Sequence, residues 1–375
     1  MAGRCFPAAP IPVLEQFILS IMENPAKILE DLRASWAADR SDPRAASRLA
    51  EHYGDLGWFN EAEEVYRDAL ALSGDDYFLL LSYGNACYRR AAWTQALEVF
   101  LKLTRLMPGR VEGWNNAGMA FVKIGNFGDA AGLFRTMLAI EPDNPGALLN
   151  LGNCHAARGE LAEAAKLFKR AIAVSPDCAD AWYNLGNTHL SQKEYPEARA
   201  SFERALRYRP EFPSALKNLG VAFEFLNEND RAFACFRKAA ELGRTDSGAY
   251  VNLARACCSR DEIGEAKGYF LKAVRLEPRS VDAWLGLSTI ALMKGDVAAC
   301  LRCMLAIIPN LSAGRAVRCA RILLELGRPR EALQVLDAAK KQSLCSDELD
   351  ALRHDATGQC GEEGDRVAVC TGKGA

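Results

Sequence analysis

Histidine is nearly absent from this chain, with four in 375 residues. Catalysis through an imidazole base, and metal sites built from several imidazoles, therefore have little to work with. Net charge is equally thin: 46 basic residues stand against 48 acidic ones, a balance of -2. The chain as a whole has no pull toward nucleic acid or an anionic membrane. No apolar run approaches the length that spans a bilayer. There is no glycine-rich phosphate loop, no nucleophile elbow and no stretch of alternating strand residues. Catalysis is left without candidate residues, and no cofactor, nucleic-acid partner or membrane contact is expected.

The N-terminus carries Arg4, then Pro7, Pro10 and Pro12, then a short apolar stretch from Phe17 to Met22 that follows Glu15. A secretory leader would have a longer and uncharged apolar core, so an unexported chain is expected. Met22 opens a cleaner segment, with Asn24 as cap, Pro25 at the first helical position and Ile28, Leu29, Leu32 and Trp36 on one face. Residues 1–21 are either a native extension or the product of a start site upstream of Met22. The 13 cysteines are odd in number and scattered, which suits a reducing compartment better than a disulfide framework. The cytoplasm is the expected location.

What is abundant is self-similarity. Ala181-Trp182-Tyr183-Asn184-Leu185-Gly186 has counterparts at multiples of 34 residues, Gly113 to Gly118 upstream and Ala215 to Gly220 downstream. Units starting at Pro43, Tyr77, Val111, Pro145, Ala179, Pro213, Ser247 and Val281 hold one register, and a ninth begins near Ala313 after a two-residue deletion. The eighth position reads Ala50, Gly84, Gly118, Gly152, Gly186, Gly220, Ala254 and Ser288, and the twentieth is alanine except at Cys300. Small residues at two such points let the helices of one unit approach closely. Position 24 is Tyr66, Phe100, Phe134, Phe168, Phe202, Phe236, Phe270 and Met304.

Apolar residues at positions 4, 7, 8 and 11, and again at 20, 24 and 27, make each unit two amphipathic helices. Gly57, Gly125, Gly159, Gly295 and Gly327 fall at position 15, where the first helix must end in a left-handed residue. Pro108, Pro142, Pro176, Pro210 and Pro278 fall at position 32, where the second must stop. Each unit is a helical hairpin.

The run Trp182, Leu185, Gly186, Ala198, Phe202, Pro210 resembles the tetratricopeptide-repeat signature. The resemblance covers about four fifths of the chain. It departs from the pattern at His155 and His189, where tyrosine is usual, and at Arg244 in place of proline. The family implies an all-α, right-handed solenoid of about nine hairpins with capping helices at both ends. The expected divisions are an N-terminal segment and capping helix over 1–42, the superhelix over 43–342, and a C-terminal capping helix with a disordered tail over 343–375. Ser346 is the expected cap of that helix, with disorder expected from Thr357 onward.

Cys257, Cys258, Cys300, Cys303 and Cys319 invite a metal reading, because Cys300 and Cys303 have CxxC spacing. Three of the five, Cys257, Cys300 and Cys319, fall on packing positions of the repeat, as do His155 and His189. The packing reading is preferred and no metal site is assigned.

In the family the first helices line a concave groove, and the resemblance implies that positions 2, 5, 6, 9, 12 and 13 face it. Position 6 reads Asn116, Asn150, Asn184, Asn218 and Asn252 in five consecutive units, with Asn153 and Asn187 at position 9. Asparagine is a poor interior helix residue, and its amide matches the donor and acceptor of one peptide unit. One reading is a row of amides that grips an extended partner by its backbone. The other is that each asparagine bridges adjacent hairpins. The row resembles the asparagine ladder of O-linked N-acetylglucosamine transferases, although nothing in this chain matches their catalytic domain.

A chaperone-tail clamp of the usual kind is not expected, because Leu149 and Tyr183 stand at position 5, where that clamp uses lysine beside an asparagine at position 9. Arg255, Arg318 and Arg321 are further groove candidates, suited to an acidic partner segment. The expected function is a non-catalytic adaptor for extended segments of other proteins. Two alternatives stand beside it: a metal- or redox-responsive protein using the Cys257 to Cys319 cluster, and an accessory subunit of a separate enzyme such as a glycosyltransferase.

Overall fold

A computed structural model describes residues 25–307, 313–325, 327–341 and 348–358. Helix α1 (Pro25–Ala38) precedes nine hairpins among the described residues. They are α2 and α3 (Pro43–Asp55, Phe59–Ser73), α4 and α5 (Tyr77–Arg89, Trp93–Leu106), and α6 and α7 (Val111–Ile124, Phe127–Ile140). Next come α8 and α9 (Pro145–Ala157, Leu161–Val174), α10 and α11 (Ala179–Ser191, Tyr195–Tyr208), and α12 and α13 (Pro213–Phe225, Asn229–Leu242). The last three are α14 and α15 (Ser247–Ser259, Ile263–Leu276), α16 and α17 (Val281–Met293, Val297–Ile307), and α18 and α19 (Ala313–Glu325, Pro329–Lys341). A final helix, α20, spans 348–358. The chain is an all-α solenoid, and it divides into two compact units between Thr188 and His189, within α10.

Every hairpin closes by the same turn. The residue at position 15 is left-handed in all nine, with φ between 61° and 88°. Five are the expected glycines; the other four are Ala91, Lys193, Asn227 and Asp261. This conformation lets the backbone N–H at position 16 reach the carbonyl at position 11. Trp58 donates to Tyr53 at 2.8 Å, Glu194 to His189 at 2.9 Å and Arg328 to Leu323 at 2.9 Å. Because that bond is repeated at each turn, the strain of a non-glycine residue is carried by a fixed framework. Side-chain caps start several first helices: Asp76 Oδ1 accepts the Leu79 N–H at 2.8 Å and Asn144 Oδ1 that of Ala147 at 2.9 Å.

The repeated glycine at position 8 acts on the position-24 ring. A Cβ on Gly118, Gly152 or Gly220 would lie 2.5–2.6 Å from the ring of Phe134, Phe168 or Phe236 in the same hairpin. Each of those rings is fully buried, which is worth about 1.5–3 kcal/mol apiece. Two hairpins have alanine at position 8, and their rings go elsewhere. Tyr66 sends its hydroxyl to Ser82 Oγ at 2.8 Å, and the Phe270 ring lies where a Cβ on Gly286 would be. Both Ser82 and Gly286 occupy position 6 of the following hairpin.

In three hairpins, tryptophan at position 4 ties the hairpin to the chain before it. Trp114, Trp182 and Trp284 donate their indole N–H to the carbonyls of Pro108, Pro176 and Pro278 at 2.8–2.9 Å. At the ends the expected caps are in place. Leu29 and Trp36 of α1 bury into a core with Ala46, Leu49 and Tyr53, and Arg33 Nε donates to the Tyr53 hydroxyl at 2.8 Å. Leu349 and Ala356 of α20 join Val335, Leu336 and Ala339. Helix α20 carries on through Thr357 and Gly358. It does so because Ala356 is buried and the Thr357 hydroxyl bonds the Arg353 carbonyl at 2.6 Å. Ser346 and the segments 1–24 and 359–375 lie outside the described residues.

Candidate functional site

In the first unit, first helices of neighbouring hairpins touch, α2 against α4 and α6 against α8. This brings the position-6 asparagines to the seams. Asn116 Nδ2 donates to Asn85 Oδ1 at 3.2 Å, Asn150 to Asn115 at 3.1 Å and Asn184 to Asn153 at 2.9 Å. Asn115 in turn donates to Asn116 Oδ1 at 3.2 Å. These amides bridge adjacent hairpins, and the two uses of asparagine weighed from the sequence are compatible in one geometry. One N–H of each amide is spent on the neighbour, while the Oδ1 atoms of Asn150 and Asn184 accept no hydrogen bond among the described residues. Both side chains are half-buried, so they are held but still reachable. Asn187, also half-buried, has a partner of its own.

Asn85 and Asn115 were not among the sequence candidates. Asn85 shares position 9 with Asn153 and Asn187, which is the signal that would have found it. Asn115 lies at position 5 and has no counterpart in the other repeats; only the seam geometry reveals it.

In the second unit, Asn218 is half-buried and partnered. Asn252 makes no side-chain hydrogen bond among the described residues, and it lines a cleft with Arg255 and Arg279. Lys217, at position 5 of the preceding hairpin, lines the same cleft but is tied to Asp246 at 3.0 Å. Arg255 is exposed and faces Glu224, whose carboxyl is pushed up by burial and pulled back by that guanidinium. Arg321 does not stand free: it is paired with Glu348 of the capping helix α20 at 2.5 Å. The side chain of Arg318 lies outside the described residues.

The only close set of potential metal donors among the described residues is Cys257, Glu262 and Glu265, whose ligand atoms lie within 4.8 Å of one another. Cys257 and Glu262 occupy positions 11 and 16, the same pair that in two other hairpins is His155 with Glu160 and His189 with Glu194, the latter at 2.6 Å. It is a recurring turn contact with a different side chain. Burial, reinforced by Glu262 and Glu265, pushes the Cys257 thiol up to about 11. Burial, with Cys303 and Cys319 nearby, does the same to Cys300. Such thiols stay protonated at neutral pH and make poor nucleophiles.

Family models described as tetratricopeptide repeat match residues 43–76, 123–185, 155–220, 252–299 and 315–338. No curated protein matches the chain. Among solved structures, a tetratricopeptide repeat protein from Parabacteroides merdae is similar at 20% identity and a TM-score of 0.50, over 66% of this chain and 98% of that one. PilF of Pseudomonas aeruginosa is similar at 20% identity and a TM-score of 0.50, over 55% of this chain and 94% of that one. MamA is 25% identical with a TM-score of 0.40, over 45% and 92% respectively. No helix among the described residues is long and apolar enough to cross a membrane.

Proposed function

The chain belongs to the tetratricopeptide-repeat family, a family of protein-interaction scaffolds, and on that premise we propose that it is a non-catalytic adaptor that holds extended segments of other proteins. The reading rests on one observation: half-buried asparagine amides on the first helices, each anchored by a single N–H to the neighbouring hairpin. A free amide carbonyl accepts from a partner's backbone N–H, and the remaining N–H donates to its carbonyl. Recognition through the backbone makes the grip tolerant of the partner's side chains. In the second unit, Asn252 beside Arg255 adds a place for an acidic residue. The cytoplasm is the proposed location, because the described cysteines are all free thiols.

The test is capture of partner proteins from lysate by wild-type protein and by the Asn150→Ala, Asn184→Ala, Asn218→Ala variant, with circular dichroism confirming that both are folded. Each lost amide contact should weaken binding by about 0.5–1.5 kcal/mol. Equal capture by the two forms would sink the amide row.

A further inference from the structure

The first unit contains a cleft whose charges are unequally occupied. Arg44, Arg48 and Glu51 of α2 line it together with Phe78 of α4 and the two capping residues Asp42 and Asp76. Its three carboxylates are already engaged. Asp42 accepts the Arg44 backbone N–H at 2.9 Å, Asp76 accepts that of Leu79 at 2.8 Å, and Glu51 accepts the Ser82 hydroxyl at 2.8 Å. The two guanidinium groups have no ion pair and no side-chain hydrogen bond among the described residues. They stand four residues apart on one helix, so they present two planar donor forks to the same face.

Phe78 completes the arrangement. It is 65% exposed, the most exposed of the large apolar side chains in the described structure. Its ring meets Tyr77 edge-on at 5.5 Å, and the Arg110 guanidinium lies 5.7 Å from its centroid. An aromatic ring left in water on the face that carries the candidate groove, beside two unpaired cations, is surface without an internal use.

We infer that this cleft docks an acidic segment of a partner protein, with side-chain carboxylates on Arg44 and Arg48 and a large apolar side chain against Phe78. The inference rests on the adaptor reading and adds the chemistry of the partner. Asp42, Glu51 and Asp76 rim the cleft, and they disfavour a continuous phosphate chain while leaving room for carboxylates placed at the two arginines. A free chain terminus is not required, because positions 5 and 9 of this hairpin are Ser47 and Glu51 and offer no cation to hold one.

The experiment measures fluorescence anisotropy with a short labelled peptide, acetylated and amidated, that carries two glutamates and one phenylalanine among glycines and serines. Binding to the wild type is expected to fall about tenfold or more when the glutamates become glutamines, and equally in the Arg44→Glu, Arg48→Glu variant. Phe78→Ser should cost severalfold. All of these residues are exposed, so the variants are expected to unfold thermally like the wild type. The inference is overturned if the glutamine peptide binds as well as the acidic one, if charge reversal changes nothing, if the wild type binds neither peptide, or if a single-stranded RNA oligomer displaces the peptide through the same arginines. Unchanged binding of the acidic peptide to the Asn150→Ala, Asn184→Ala variant separates the two ideas, since the cleft then stands even where the amide row has failed.

Discussion

Hairpins α8–α9 and α14–α15 are built on the same register, and at position 8 they differ by one methyl group. The first has Gly152 at position 8 and tucks Phe168 beneath it; the second has Ala254, and Phe270 is found against Gly286 of the next hairpin. The succeeding hairpins differ accordingly. Each hairpin with glycine at position 8 is succeeded by one with asparagine at position 6: Gly84 by Asn116, Gly118 by Asn150, Gly152 by Asn184, Gly186 by Asn218 and Gly220 by Asn252. Ala50, Ala254 and Ser288 are succeeded by Ser82, Gly286 and Arg318. Glycine, ring and asparagine therefore behave as one coupled set. A methyl group at position 8 moves the ring onto the seam, and in the two alanine hairpins the seam residue has shrunk to serine or glycine. The amide row extends only as far as the glycines do.

The severest challenge to this coupling is to fill the glycine space outright. Gly152→Val places a branched side chain into the Phe168 ring and should destabilise the protein by about 3 kcal/mol; chemical denaturation gives the value. The same substitution at Gly264, which has open space around its Cβ, should lack the overpacking penalty. A finer test converts one kind of hairpin into the other. Gly118→Ala should cost about 1–2 kcal/mol by pushing Phe134 toward Asn150, and adding Asn150→Gly should recover part of that loss, with a coupling of about 1 kcal/mol in a double-mutant cycle. Strict additivity would dissolve the coupled set.

The smallest effect concerns the turns, which cut across the division. Ala91 closes a glycine hairpin and Asp261 an alanine hairpin, both with φ near 62°. Replacing Ala91 by glycine should stabilise by about 1 kcal/mol, and Asp261→Gly by less, since aspartate tolerates this conformation better. A larger gain at Asp261, measured by thermal unfolding, would mean that ring displacement strains the turn as well.

Much of this architecture is legible from residue spacing alone. Fixed spacing reports local structure directly, so the hairpin register, the turn at position 15, the prolines beyond five of the second helices and the two caps were all readable. Ala91, Lys193, Asn227 and Asp261 were not, because their side chains do not advertise a left-handed backbone that the surrounding hydrogen bonds impose. The asparagine row was visible, but its partners were less so. Which residue meets position 6 depends on how one hairpin is offset against the next, and the offset differs between Asn116 with Asn85 and Asn150 with Asn115. Arg321 illustrates the same limit: its engagement by Glu348 depends on where α20 settles. The cleft of Arg44, Arg48 and Phe78 was hidden because two hairpins supply its residues, and only the contact of α2 with α4 brings them together.

The indole of Trp114, Trp182 and Trp284 is anchored to the carbonyl of the proline six residues earlier, at the entrance to its hairpin. Each indole is therefore a built-in optical reporter of one seam. A stack that melts from its ends inward would change the emission of these tryptophans in order of their distance from the fraying end. Keeping one of the three and replacing every other tryptophan by phenylalanine, Trp36, Trp58 and Trp93 included, would turn the chain into a set of local thermometers, each reading the opening of a single joint without any added label.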